Sequence, residues 1–287
     1  MSATAAILLG LVAMLGFGMA DFMAKAMLTR TNAILTALVS QSIGSLLYLG
    51  AALAYDPTIP SAALVGLALF SGLLSAAVLC AYYVALSLGK ASLVAPSFSC
   101  LTVIAVVLSL LVLRESLTTL QLSSIILVFI GIVLVAFERN GNDGTDSSRK
   151  LSVVLALAAA ALGGGNLLLQ KWIAESGHYL MGFFLSRISM TALMAPLALR
   201  RQETLSVRTS RGWLKLSLLG LTDVSAFFAW YLGLRVGQVS IVTPIATSSP
   251  AVTVLLAHLF LKERVRPHQR AGIFAIIFGI VFLSAIS

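Results

Sequence analysis

The chain has 287 residues, of which 59% are hydrophobic and 10% charged, at a mean hydropathy of +1.03. So apolar a composition excludes an ordinary water-soluble domain, and at roughly 20 apolar residues per crossing the length holds ten membrane helices with no room for a second, soluble domain. Nineteen Lys and Arg against ten Asp and Glu give a formal charge of +9, yet they lie between apolar runs rather than on one polar face, which excludes a nucleic-acid-binding domain and marks membrane topology instead.

Apolar runs fall at 4–24, 33–54, 62–86, 91–113, 119–137, 151–172, 178–199, 212–234, 239–261 and 269–286. In hydrocarbon every backbone polar group needs a partner within the protein, so runs of this length are helices, and the fold expected is all-α, integral to the membrane, with ten spans. The first run lacks the basic front of a signal peptide and is read as a retained helix. Charge and turn residues separate the runs, as in DPTIP at 56–60, ERNGNDGTDSSRK at 138–150 and RRQETLSVRTSR at 200–211. Cys80 and Cys100 lie inside apolar runs, so neither a disulfide framework nor a metal site is expected of them, and no cofactor is implied.

The two halves resemble each other. At an offset of 148, Gly72 falls on Gly220, Tyr83 on Tyr231, Ser92 on Ser240, Pro96 on Pro244, Glu115 on Glu263 and Gly131 on Gly279. Near the start of each half the offset is 146, pairing Gly18 with Gly164 and Lys25 with Lys171. The division expected is a five-helix repeat at 1–137, a linker at 138–150 and a second repeat at 151–287. Five is odd, so consecutive repeats cross the membrane in opposite senses, an architecture typical of secondary transporters. Fifteen of the nineteen Lys and Arg fall on the face that holds the linker, which puts that face in the cytoplasm and both termini outside it.

Polar residues inside such helices are the functional candidates. Pro96 and Pro244 free the carbonyls of Ser92 and Ser240, and freed carbonyls are tolerated where they line a cavity. Ser92, Ser99 and Thr102 share one helical face, as do Ser240, Thr243 and Thr247, so the two sets are expected to form a hydroxyl-lined wall about the two-fold axis. Helix 8 presents Asp223, Phe227, Trp230 and Tyr231 on one face, and helix 3 presents Ser75, Tyr82 and Tyr83 on its equivalent. A deep Asp223 needs a counter-charge, and Arg187, a proton or a ligand's ammonium group could supply it. Asn166 and Gln170 could face the same cavity. Gly16, Gly18, Gly163, Gly164 and Gly165 are hinge candidates beside Pro96 and Pro244. Asp21 is expected in solvent near the end of helix 1, and Glu115 and Glu263 are expected to cap or salt-bridge nearby loops.

The segments LGKASLVAPSFSCLTVIAVVLSLLVLRESLTTLQ and LRVGQVSIVTPIATSSPAVTVLLAHLFLKERVRPHQ carry a Pro early in helices 4 and 9, a Glu just after each, and a Gly-to-Lys spacing of seven in helices 1 and 6. On these features the chain resembles the EamA-type members of the drug/metabolite transporter superfamily over nearly its whole length. The resemblance implies a cavity lined by helices 1, 3, 4, 6, 8 and 9, with helices 2 and 7 outside and 5 and 10 as braces. It implies both termini in the cytoplasm, against the charge count. The function expected is secondary transport of small metabolites, most of all amino-acid export, with export of drugs or toxic metabolites as the alternative. The partners expected are a small-molecule substrate and the bilayer of the plasma or inner membrane, with no nucleic acid, and a monomer as the unit. Organic phosphates are disfavoured because Arg187 is the one deep cation, and a cation pump because residues 5–20 hold no carboxylate. An intramembrane enzyme finds little support, since HExxH, paired deep aspartates and a Ser-His-acid set at one depth are missing.

Overall fold

Apolar runs of this length satisfy their backbone groups internally by folding as helices, and the backbone follows that pattern in the computed structural model, which describes residues 3–28, 33–55, 58–88, 91–136, 146–200, 210–262 and 264–285. The side chains of several helical residues, Tyr83, Ser92, Pro96 and Lys25 among them, lie outside the description, as does Glu263. The helices are α1 (Ala3–Leu28), α2 (Ala33–Tyr55), α3 (Ala62–Leu88), α4 (Ala91–Val112), α5 (Thr119–Ala136), α6 (Asp146–Glu175), α7 (Tyr179–Arg200), α8 (Ser210–Val236), α9 (Val239–Ala246), α10 (Ser249–Leu261) and α11 (Pro267–Ala285). Among the described residues, seven segments are long and apolar enough to cross a membrane. Long apolar side chains such as Leu46, Leu111, Leu259, Phe260 and Phe274 are exposed on the outer surface, as suits a molecule surrounded by hydrocarbon.

Two boundaries differ from expectation. Residues 239–261 form two helices rather than one, broken at Thr247 and Ser248. Pro250 explains the break: it has no N–H for the carbonyl of Ala246, and its ring excludes that carbonyl from a regular turn. Ser248 N–H turns instead to the Ile245 carbonyl at 3.1 Å, and the hydroxyls of Thr247 and Ser248 donate to the carbonyls of Thr243 and Pro244 at 2.8 and 2.7 Å. The second difference is that α6 starts at Asp146, within the stretch 138–150 expected as linker. Asp and Ser open helices readily, and 146–148 supplies both.

Helix pairing follows the internal repeat. α1 packs on α8 and its equivalent α6 packs on α3; α4 packs on α6, as α9 and α10 pack on α1; α3 meets α7, as α8 meets α2. The equivalent helices α5 and α11 pack on each other. A Cβ added to Gly131 would lie 2.7 Å from the carbonyl oxygen of Gly272, one added to Gly272 would lie 2.7 Å from that of Gly131, and one added to Gly279 would lie 3.0 Å from that of Ser124. Residue 131 thus meets 272 while 124 meets 279, so these equivalent helices run antiparallel, and their glycines bring the two backbones together. Ile125, Val128, Ile132, Ile273, Ile276 and Ile280 fill the seam. A second core gathers around Tyr48, Phe183, Trp230 and Tyr231, where α2, α7 and α8 converge.

Candidate functional site

Between the two halves lies a cavity of about 490 Å³. The first half supplies Phe17 and Asp21 from α1, Gln41 from α2, Ser75, Leu79 and Tyr82 from α3, and Phe98, Ser99 and Thr102 from α4. The second supplies Gly163, Asn166 and Gln170 from α6, Ser186, Arg187 and Met190 from α7, Phe227, Trp230 and Tyr231 from α8, and Thr247, Ser249 and Pro250 around the α9–α10 break. Helices 2 and 7, which the resemblance puts outside, therefore contribute to the wall through Gln41, Ser186 and Arg187. Ile132 and Ala136 of α5 reach it as well.

Aromatic rings make one wall. Phe17 meets Phe227 edge-on with centroids 4.7 Å apart and Trp230 at 5.8 Å, and Tyr231 stacks on Phe183 at 3.5 Å. Tyr82 and Phe98, 4.5 Å apart, form a smaller aromatic pair on α3 and α4. The ring spacing at i, i+3 and i+4 on α8 puts Phe227, Trp230 and Tyr231 on one face, as the sequence suggests.

Charge is concentrated on a buried relay. Arg187 Nη1 donates to Gln41 Oε1, Gln41 Nε2 donates to Asp223 Oδ2 at 3.4 Å, and Arg187 Nη1 stands 3.9 Å from the same carboxylate oxygen. The guanidinium carbon sits 3.8 Å from the centroid of Phe227, a cation–π contact. Asp223 is thus compensated by Arg187, with Gln41 between them, and belongs to the relay behind the wall rather than to the wall itself. Gln41 escaped notice in the sequence, although a lone amide well inside an apolar helix is costly and was a usable signal. Asp21, placed in solvent by the sequence reading, is exposed onto the cavity one turn from Phe17 and makes neither a hydrogen bond nor an ion pair among the described residues.

The hydroxyl wall is partly assembled. Thr102 and Thr247, one from each half, share a hydrogen bond of 3.0 Å between their hydroxyl oxygens, and Ser99 lies on the wall beside them. Ser240 and Thr243 do not reach it: both are fully buried, and Ser240 turns away to Glu115. The Ser92, Tyr83 and Pro96 side chains lie outside the described residues. Asn166 accepts from Ser71 Oγ at 2.8 Å and donates to Ser75 Oγ at 2.8 Å, tying α6 to α3. Of the hinge candidates, Gly16 abuts Ala226, Gly18 abuts Val252 and Gly164 abuts Ile104, with added Cβ atoms at 2.7, 2.4 and 2.7 Å, so these three are close-packing positions. Gly163 presses on Leu101 at the cavity wall, Gly165 has open space beside it, and Pro244 lies inside the short helix α9.

One end of the bundle is fastened at the α8–α9 connection. Glu115, just after α4, accepts from the backbone N–H groups of Val239 and Ser240 at 2.7 and 3.0 Å and from Ser240 Oγ at 2.5 Å, capping α9 across the two halves. From α6, Lys171 Nζ donates to the carbonyls of Leu234 and Gly237, the latter at 2.7 Å, and pairs with Glu175 at 3.0 Å. These are the charges that complement helix ends, an acid at the N-terminus of α9 and a base at the C-terminus of α8. The cavity extends the other way, toward the ends of α1, α3 and α5 marked by Asp21, Tyr82 and Ala136.

The model of the EamA-like transporter family matches residues 4–137 and again 150–285. The chain belongs to that family. The EamA repeat is therefore present twice, and the chain is a multi-pass membrane protein of a transporter family within the drug/metabolite transporter superfamily. It is 26% identical over 143 residues to Protein PecM of Dickeya dadantii, spanning 47% of this chain and 46% of that protein. It is 48% identical over 54 residues to the uncharacterized protein MJ1333.1 of Methanocaldococcus jannaschii, 19% of this chain and 39% of the other. The EamA chain thus spans less than half the length of these curated relatives. A solved crystal structure matches with a TM-score of 0.81 at 19% identity, over 99% of this chain and 98% of that one, and shares the fold.

Proposed function

We propose that this EamA protein is a ten-span secondary carrier of the cell membrane, in which two inverted five-helix repeats at 1–137 and 151–287 expose a shared chamber to either face in turn, and that its cargo is an amino acid or a closely related small metabolite, moved outward. One observation carries the reading: a single cavity takes its walls from both halves and pairs a ring of aromatic side chains with a few polar groups, the composition of a small-molecule site. Phosphorylated cargo is poorly served, because Arg187 is already engaged by Gln41 and Asp223. On this reading Tyr82, Ser99, Thr102, Phe227, Trp230, Tyr231 and Thr247 contact the substrate, Asn166 holds the α3 side of the chamber, and Pro244 with the α9–α10 break lets one repeat rock on the other.

A second reading, export of amine drugs or toxic amines, draws support from Asp21, a carboxylate that opens on the cavity beside Phe17. A thermal-shift screen of the purified protein separates the two, since a ligand that binds only the folded form raises the melting temperature. Amino acids are expected to raise it. A shift with hydrophobic amines alone would favour the second reading, and one with sugar phosphates alone would reject both.

A further inference from the structure

Close backbone contacts sort the helices around the chamber into two clusters, and each cluster draws on both repeats. α1 is bound to α8, α9 and α10: a Cβ added to Gly16 would stand 2.7 Å from that of Ala226, one added to Gly237 would overlap that of Ala6, and Thr253 Oγ1 donates to the Gly18 carbonyl at 3.2 Å. α6 is bound in the same way to α3 and α4, through Gly163 on Leu101, Gly164 on Ile104 and the Asn166 amide between Ser71 and Ser75. Small residues that let backbones touch hold helices together as one body, so motion belongs to the surfaces between such bodies.

The polar contacts at the fastened end of the bundle run between these two clusters. Glu115, at the end of α4, holds the backbone N–H groups of Val239 and Ser240 at the start of α9. Lys171 of α6 holds the carbonyls of Leu234 and Gly237 at the end of α8, and Gln238 Nε2 donates to the Ser116 carbonyl at 3.4 Å. The chamber opens at the opposite end, beside Asp21 and Tyr82. Contacts between a charge and helix ends suit a joint that must part and re-form. They are strong while water is kept out, and when the clusters separate water replaces them at a modest net cost. Lys171 also keeps Glu175 of its own helix, 3.0 Å away, whichever way the clusters stand.

We propose that Glu115 and Lys171 form a releasable lock, which keeps the chamber shut at the fastened face and lets go when the cluster of α3, α4 and α6 swings away from that of α1, α8, α9 and α10. This rests on the carrier reading and adds to it which surfaces part and which residues hold them together.

The test follows access to the chamber from each face and needs no knowledge of the cargo. In the full chain with Cys80 and Cys100 replaced by Ala, Leu79→Cys puts one thiol on the chamber wall. Its rate of labelling by a membrane-impermeant maleimide is measured in right-side-out and in inverted vesicles of expressing cells. Ser116→Cys, exposed at the fastened end, shows which vesicle presents that face. The Leu79→Cys parent is expected to label from both faces, and more slowly from the fastened one. Adding Glu115→Gln or Lys171→Met, two changes of similar size at separate points of the lock, should each raise the fastened-face rate about fivefold or more by shifting the equilibrium toward the state open there, without raising the other. Labelling of the parent from both faces with rates unchanged in both variants overturns the lock and leaves the carrier reading standing. An equal rise from both faces reports general loosening and overturns it as well. If the parent and both variants label from the open face alone, the chamber does not alternate, and the carrier reading fails with the lock.

Discussion

At the scale of single residues, the relay from Arg187 through Gln41 to Asp223 shows how an apolar bundle accommodates deep charge. Removing Arg187 takes the counter-charge from the Asp223 carboxylate, so Arg187→Met is expected to cost about 3 kcal/mol, as breaking buried ion pairs does. Arg187→Met combined with Asp223→Asn should cost clearly less than the two single substitutions together. Thermal unfolding of the four proteins in one detergent measures the coupling, and strict additivity would mean that the pair is not an energetic unit. The sequence offered Arg187 as one counter-charge for Asp223, beside a proton and a ligand's ammonium group, because both residues are deep and opposite in charge. It gave no means to see that Gln41 would bridge them, since the register between α2 and α7 is set by packing between distant segments. Asp21 was legible as an exposed residue near the end of helix 1, but that the surface it meets there is the cavity was hidden for a related reason.

At the scale of helices, ends and breaks matter most. Glu115 was legible as a capping residue from its place after helix 4, but its target, the start of α9 in the other half, emerges only in three dimensions. Glu115→Ala strips three hydrogen bonds from that helix start and is expected to lower stability by about 1–2 kcal/mol while leaving the substrate dissociation constant unchanged. A large change in affinity with an unaltered melting temperature would instead place Glu115 in the binding site. The break in the expected helix 9 falls just before Pro250, whereas the proline that the sequence reading singled out is Pro244. Pro250→Ala restores the missing donor and should extend regular helix through Thr247. If the break is the flexing point of the transport cycle, this variant keeps its stability and loses turnover, and an unchanged transport rate would assign the bend to another position.

At the scale of the molecule, the internal repeat was the most readable feature, because it survives as residue identities at fixed spacing. What spacing could not disclose is the tightness of the α5–α11 seam. Gly131→Ala gains about 1 kcal/mol of helix propensity yet drives a methyl to 2.7 Å from a backbone oxygen, so a net loss of about 1–2 kcal/mol is expected. Gly66→Ala on α3, where nothing lies within 4 Å, should be neutral or stabilising, and the two melting temperatures compared side by side check the seam. Everything functional rests on the two halves enclosing one chamber that faces each side of the membrane in turn. Counterflow in sealed proteoliposomes probes this directly: with unlabelled amino acid loaded inside, labelled amino acid is expected to enter transiently above its equilibrium level, and to saturate with concentration. Flux that rises linearly and ignores the internal amino acid would contradict a carrier.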